Sequence, residues 1–328
     1  MRDTAVQAGE RLDPKTANIL YHDAAARSYD AKWAISFDER CIRYVRERAD
    51  RMLPRRRYGR VLDVGTGTGF FILNLWQAGY VGEPHACDIS PGMLAACAES
   101  ARAVGCDLSL RTADAESLPF EEESFDLVVG HALLHHLPQP EAALREINRV
   151  LVPGGEVLIA GEPTRTGDRL ARGVGRLTWR TWREAARIVP AFRKPDPLTG
   201  DPLSDDERLM RDLEWTVDLH TFDPSELGRM AQRAGFDAVC VETEELVSSL
   251  VGWAVRTIEA EAPPGLLGRR WANFAYRAYL ALSAMDRQLL YTMLPRDWFY
   301  NVLLYARKPG GVRRERAVAG RRPTGDTG

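Results

Sequence analysis

The stretch Val61-Leu62-Asp63-Val64-Gly65-Thr66-Gly67-Thr68-Gly69 decides how the rest of the chain is read. Val61 to Val64 has the apolar character of a short buried strand, and alternate glycines then form a turn. Phe70, Phe71, Leu73, Leu75 and Trp76 follow in an apolar helical pattern. Strand, glycine turn and helix in that order bring backbone N–H groups and a helix N-terminus up to a bound ligand. Glycine suits the turn because a Cβ would block close approach and because positive φ is open to it. Phe70 stands where the third glycine of a dinucleotide-binding G-x-G-x-x-G would be, and no Gly-Lys-Ser/Thr of a phosphate loop follows. Asp63 falls at the carboxyl end of the strand, where a carboxylate can accept from a cationic ammonium.

Outward from this point the chain alternates strand and helix. Glu83 to Ile89 reads as a second strand carrying Asp88, an acid placed to accept both hydroxyls of a ribose. Ser90-Pro91-Gly92 starts a helix with proline at its first position. Leu108 to Arg111 is a third strand, followed by Asp114-Ala115-Glu116. Phe125 to Val129 is a fourth, its unbroken apolar run typical of burial on both faces. Gly130-His131-Ala132-Leu133-Leu134-His135-His136-Leu137 comes next, then an amphipathic helix over 141–151. Pro153-Gly154-Gly155 reads as a turn, Glu156 to Ala160 as a fifth strand, Phe236 to Val241 as a sixth and Trp298 to Ala306 as a seventh. The alternation predicts an α/β chain with a doubly wound, mostly parallel sheet and ligands at the strands' carboxyl ends.

Two segments interrupt the pattern, at 163–222 and 246–294, and both read as helical insertions. The organisation expected is a loose N-terminus over 1–15, one domain over 16–308 with those insertions, and a disordered tail over 309–328. The chain has 328 residues and a formal charge of −2, which makes no electrostatic case for nucleic acid. Its five cysteines show no paired spacing and suit a reducing, cytoplasmic setting; no metal-ligand spacing is found, so no metal is expected. No transmembrane span or signal segment is read.

Asp63 with Gly65, Gly67 and Gly69, Asp88, Asp114, Phe-Asp-Leu-Val-Val leading to Leu-His-His-Leu, and Leu-Val-Pro-Gly-Gly-Glu-Val-Leu-Ile form an ordered set. That set resembles the class I S-adenosylmethionine-dependent methyltransferases, in particular the branch with ubiquinone/menaquinone-type and natural-product enzymes. The resemblance covers about residues 20–162 well and 223–306 in outline. It implies a seven-stranded Rossmann-like sheet of order 3-2-1-4-5-7-6, capped by the helical insertions. It implies S-adenosylmethionine as cofactor. Asp63, Gly65, Thr66 and Gly67 would hold the methionine portion, and Asp88 the ribose. Ile89 and Met93 would lie beside the adenine, and Asp114 and Ala115 at its edge. Gly130 and His131 would border the sulfonium, and Tyr21, Tyr29 and Trp33 would form a flap above it.

The reaction implied is in-line SN2 methyl transfer to a small, apolar or aromatic acceptor such as a secondary metabolite, quinone or lipid-like molecule. The alternatives are an S-adenosylmethionine enzyme of another reaction type and a non-catalytic cofactor-binding partner protein. His131, His136 and Glu162 are the catalytic candidates, with His131 first as general base; at least one of His135 and His136 reads as structural. Arg165, Arg169, Arg172, Arg176, Arg180, Arg183 and Arg187 recur in steps of three and four, which places them on one helical face. That face reads either as solvated and paired with the acidic segment from Asp205 to Glu214, or as a surface for anions. Partners expected are the methyl acceptor, a peripheral membrane contact and a second copy of the chain.

Overall fold

The structure, a computed structural model, describes residues 12–55, 57–193, 204–214, 216–263 and 265–310. Nearly all of the tail expected over 309–328, and residues 1–11 of the expected loose start, lie outside the described residues. The seven strands are β1 (Tyr58–Val64), β2 (Val81–Asp88), β3 (Ser109–Thr112), β4 (Phe125–His131), β5 (Leu151–Pro163), β6 (Asp237–Glu244) and β7 (Asn301–Arg307). They form one sheet of order β3-β2-β1-β4-β5-β7-β6, the order the resemblance implies. β7 runs antiparallel to both its neighbours, and the other pairs are parallel. β5 begins at Leu151, ahead of the turn expected at 153–155, because Gly154 and Gly155 exchange backbone hydrogen bonds with Lys308 just past β7.

The helices are α1 (Pro14–Ala25), α2 (Tyr29–Trp33), α3 (Glu39–Met52), α4 (Phe70–Gln77), α5 (Pro91–Val104), α6 (Pro140–Val150), α7 (Arg165–Ile188), α8 (Asp205–Leu213), α9 (Pro224–Arg233), α10 (Val247–Glu261) and α11 (Arg269–Met285). Side chains alternate across each strand, so β1 and β4 feed two cores. Leu62, Val64 and Val128 pack with Leu144 and Ile147 of α6 and Leu227 of α9 on one face. Val61, Leu127 and Val129 pack with Val45 and Ala49 of α3 and Phe71, Ile72 and Leu75 of α4 on the other.

Caps fix where the helices start. Ser90 Oγ accepts from the Met93 N–H at α5, Thr164 Oγ1 from Gly167 at α7, and Asp223 from Ser225 and Glu226 at α9. Asp13 caps α1 through the Lys15 and Thr16 N–H groups, so the chain is already helical at Pro14, inside the stretch expected to be loose. α7 stays continuous through Gly167, Gly173 and Gly175. Gly167 is needed for packing, since a Cβ there would lie 2.7 Å from Tyr300 Cα. α7, α10 and α11 pack in series as the helical cap.

Candidate functional site

Everything that follows hangs on the carboxyl end of β1. Asp63 is buried; its Oδ2 accepts from Thr66 Oγ1 at 2.7 Å, and its Oδ1 has no hydrogen-bond partner. Burial pushes its carboxyl up to about 7. Gly65 and Gly67 both take left-handed φ, of 66° and 54°. A Cβ on Gly65 would lie 2.4 Å from Leu133 Cδ1, whereas one on Gly67 would meet nothing within 4 Å. Gly67 therefore faces open space while Gly65 is packed. The Gly67 N–H donates to Asp88 Oδ2 at 2.8 Å, and the Ser90 N–H donates to Asp88 Oδ1 at 2.9 Å. The last residue of β2 thus braces the glycine turn and the start of α5 together, and burial raises its carboxyl pKa.

The N-terminal helices close over this turn. Asp23 of α1 accepts from the Gly92 N–H at 2.8 Å, and Asp30 of α2 accepts from Thr68 Oγ1 at 2.6 Å. Tyr21 is buried, and Tyr29 is half-buried with its phenol raised by burial; both line a cavity of about 690 Å³. Asp63, Gly65, Thr66, Gly67, Asp88, Ile89, Asp114, Ala115 and His131 line the same cavity, so the fold brings together most of what the sequence singled out. Asp114 carries a partner that was not foreseen: Lys15 Nζ reaches its Oδ2 at 2.6 Å and Glu116 at 2.6 Å.

Four of the residues expected at the site are held by packing or by buried hydrogen bonds. Met93 does not reach the cavity; its side chain is fully buried against Ala25 and Ala26, because α1 covers that side of α5. Gly130 is a packing glycine, where a Cβ would lie 3.1 Å from Ile159 Cδ1 and 3.2 Å from the Val64 carbonyl. Glu162 is fully buried beneath the turn after β4. It accepts from the N–H groups of Leu133 and Leu134 at 2.8 Å, from that of His135 at 3.1 Å, and from His135 Nδ1 at 2.9 Å. Those contacts hold its carboxyl below the ordinary value despite burial, with the His135 charge the largest lowering cause, while Glu162 raises His135. His131 lies among Phe70, Phe71 and Tyr44, with ring centroids at 5.0, 5.5 and 6.3 Å. Burial drops it to about 4, and its buried Nε2 has no partner. Burial thus favours the neutral form of this histidine.

His136 also lines the cavity, is kept neutral by burial, and places Nδ1 3.0 Å from the Val217 carbonyl. No metal-ligand spacing was visible in the sequence, yet the fold gathers His135, His136 and Asp218 with one ligand atom of each within 4.8 Å of the others. The arginine face does not pair with 205–214 among the described residues. Its carboxylate partners there are Glu226, Asp168 and Glu184, for Arg165, Arg172 and Arg187.

A buried polar cluster on the cavity wall escaped the sequence reading altogether. Arg48 Nη2 meets Glu244 at 2.5 Å and Glu245 at 2.9 Å, and its guanidinium lies over the Tyr44 ring, 3.2 Å from the centroid. Glu245, a non-glycine residue at φ 66°, accepts from Tyr279 Oη at 2.6 Å and Asn301 Nδ2 at 2.8 Å. A left-handed glutamate persists only where its surroundings over-determine it. Tyr44, Arg48, Glu245, Tyr279 and Asn301 all line the cavity, alongside Trp33, Phe70, Trp253 and Tyr276.

A family model described as a methyltransferase domain matches residues 62–159. The phosphatidylethanolamine N-methyltransferase of Cereibacter sphaeroides is 36% identical over 152 residues, which cover 45% of this chain and 73% of that enzyme. The demethylmenaquinone methyltransferase of Thermus thermophilus is 30% identical, over 54% of this chain and 74% of that enzyme. The malonyl–acyl-carrier-protein O-methyltransferase of Halorhodospira halophila is 34% identical over 45% of this chain, a match that spans only 51% of the relative's length. Among solved structures, the (4+2)-cyclase SpnF superposes with a TM-score of 0.56 at 19% identity, covering 93% of this chain and all of the other. A Haemonchus contortus phosphoethanolamine N-methyltransferase gives 0.55 at 18% identity over 91% of this chain and 61% of the other. At these identities the structural likeness is one of fold.

Proposed function

The chain belongs to the class I S-adenosylmethionine-dependent methyltransferases, and from that premise we propose that it transfers the methyl group to a small, apolar and aromatic acceptor bound in the same cavity as the cofactor. The observation that carries this reading is the shared cavity. One wall holds the buried carboxylate of Asp63, whose Oδ1 has no partner, beside the open side of Gly67, and another is formed by Trp33, Tyr44, Phe70, Trp253 and Tyr276. The residues fit the cofactor. Asp63 Oδ1 would accept from its ammonium, Asp88 from the ribose hydroxyls, and Asp114 and the Ala115 N–H would meet the adenine edge. No lysine or arginine lies between Val61 and Asp88 to meet a phosphate, which suits a ligand with none.

The cofactor supplies an electrophilic methyl on a sulfonium, a good leaving group. This chain's own contribution is alignment and exclusion of water. The aromatic wall orients a flat acceptor. Neutral His131 offers Nε2 as a hydrogen-bond acceptor toward an acceptor hydroxyl or amine. Glu162 acts through the Leu133–His135 turn, which it positions, and does not touch the acceptor. The aromatic rings of the N-terminal flap, Tyr21 and Tyr29, exclude water and favour a nearby cation.

Methyl-labelled cofactor incubated with hydroxylated aromatic and quinol-type acceptors tests the reading. Label should enter the extractable product with one S-adenosylhomocysteine formed per methyl. Consumption of an acceptor while the label stays on the cofactor would assign the chain to another reaction type. Gly67→Ala tests the cradle. The left-handed backbone costs about 1–2 kcal/mol of stability. The added methyl projects into the space assigned to the ligand, so S-adenosylhomocysteine affinity should fall at least tenfold. Unchanged affinity in a calorimetric titration would place the ligand elsewhere.

A further inference from the structure

Apart from Arg172, which lines the cavity, the outer face of α7 stands clear of the site and carries a dense row of positive charge. Seven arginines, Arg165 to Arg187, lie on it, and all are exposed. The two acids of the helix, Asp168 and Glu184, are already paired with Arg172 and Arg187. Arg169, Arg176, Arg180 and Arg183 have no carboxylate partner among the described residues. Leu170, Leu177 and Ile188 are exposed beside the arginines, Ile188 to 81%. Their spacings of seven and eleven residues put them on one line along the helix. Trp179 is exposed too, with the Arg183 guanidinium 4.5 Å from its ring centroid. The opposite side of α7 is taken up by packing: Ala171 is buried, and Gly175 faces Thr257 of α10.

We propose that this face docks on an anionic lipid surface, with α7 lying in the headgroup plane. A cationic row flanked by an apolar row along 24 residues, about 36 Å, matches a flat interface that offers phosphates at one depth and hydrocarbon just below. The arginines meet lipid phosphates, and Leu170, Leu177 and Ile188 enter the acyl boundary. Asp168 and Arg172 of α7 and Trp253 of α10 line the cavity, so docking brings the cap's cavity-lining helices to the membrane. An acidic protein partner would meet the charges, but it gives no reason for Leu170, Leu177 and Ile188 to stand exposed along one side of the same helix.

Vesicle flotation of the full chain tests this without turnover, so its failure leaves the methyl-transfer reading untouched. The protein should float with phosphatidylcholine vesicles containing about one third phosphatidylglycerol, and not with phosphatidylcholine alone. Arg176→Glu, Arg180→Glu and Arg183→Glu combined should lower that binding by about a hundredfold or more. Leu177→Asp with Ile188→Asp should also weaken it. Both variants should keep the thermal shift given by S-adenosylhomocysteine, which shows that they fold. Failure of the wild-type protein to float, or equal flotation with both vesicle types, overturns the proposal. Capture by an acidic protein without flotation reassigns the face to a protein partner.

Discussion

Asp88→Ala is expected to weaken S-adenosylhomocysteine binding by about 3 kcal/mol, more than a hundredfold. Hydrogen bonds from neutral donors to a carboxylate contribute roughly 1.5–3 kcal/mol each. The substitution removes the proposed partner of the ribose hydroxyls. It also releases the Gly67 N–H, held at 2.8 Å, and so loosens the turn that faces the amino-acid end of the ligand. The two losses act on one ligand and should not add in full. Asp88→Asn separates them, since the amide oxygen can still accept from one N–H while the charge is gone; it should fall between the wild-type and the alanine variant. Titration calorimetry reads the affinity, and an alanine variant that binds as tightly as wild type would remove Asp88 from the site.

Glu162→Ala should act on stability, by about 3–5 kcal/mol, as expected when one partner of a buried ion pair is deleted. The carboxylate is fully buried and accepts from three backbone N–H groups as well as from the His135 ring. All four donors would be left without it. The pH dependence carries a sign that identifies the pair. The folded pKa of His135 lies above 6.5, so the stabilisation from its charged form is complete below pH 6.5 and is lost as pH rises through the raised value. That of Glu162 lies below 4.5, so its contribution is complete above pH 4.5 and is lost as pH falls through the lowered value. The pair therefore stabilises most between about pH 4.5 and 6.5, and Glu162→Ala should flatten that maximum. Denaturant unfolding across this range checks it. An unshifted midpoint would mean that Glu162 is free to serve in catalysis after all.

The contrast between these two acids shows what a sequence can disclose. Asp88 was legible because its role follows from local order: strand, acid, capped helix, at a fixed distance from the glycine turn. Glu162 stands near the carboxyl end of β5, but what it does depends on the turn at 133–135, whose N–H groups point back at it. Met93 failed for a related reason. The ligand side and the core side of α5 have the same apolar spacing, and only the placement of α1 separates them. Lys15 with Asp114, and Arg48 with Glu244 and Glu245, join segments 99 to 197 residues apart, so no spacing rule could pair them. Arg48 is one of several arginines of α3, and nothing in its spacing sets it apart. The seven-strand order came from the ordered motif set and not from periodicity, which gives strands but not their neighbours. The arginine face, by contrast, needed only the helical period, and α7 is one unbroken helix as that period requires.

The central claim is that the unpartnered Asp63 oxygen waits for an ammonium in a site that takes S-adenosylmethionine. Titration of S-adenosylhomocysteine into the wild-type protein at pH 7, in two buffers of different ionisation enthalpy, tests it most directly. Burial pushes the Asp63 carboxyl up to about 7, so a fraction of the molecules hold its proton before binding. An ammonium beside the carboxylate lowers that pKa. Binding should therefore release a fraction of a proton, seen as an apparent enthalpy that differs between the buffers, and Asp63→Asn should abolish the difference. Tight binding of NAD with none of S-adenosylhomocysteine, or binding with no proton released, would contradict the account.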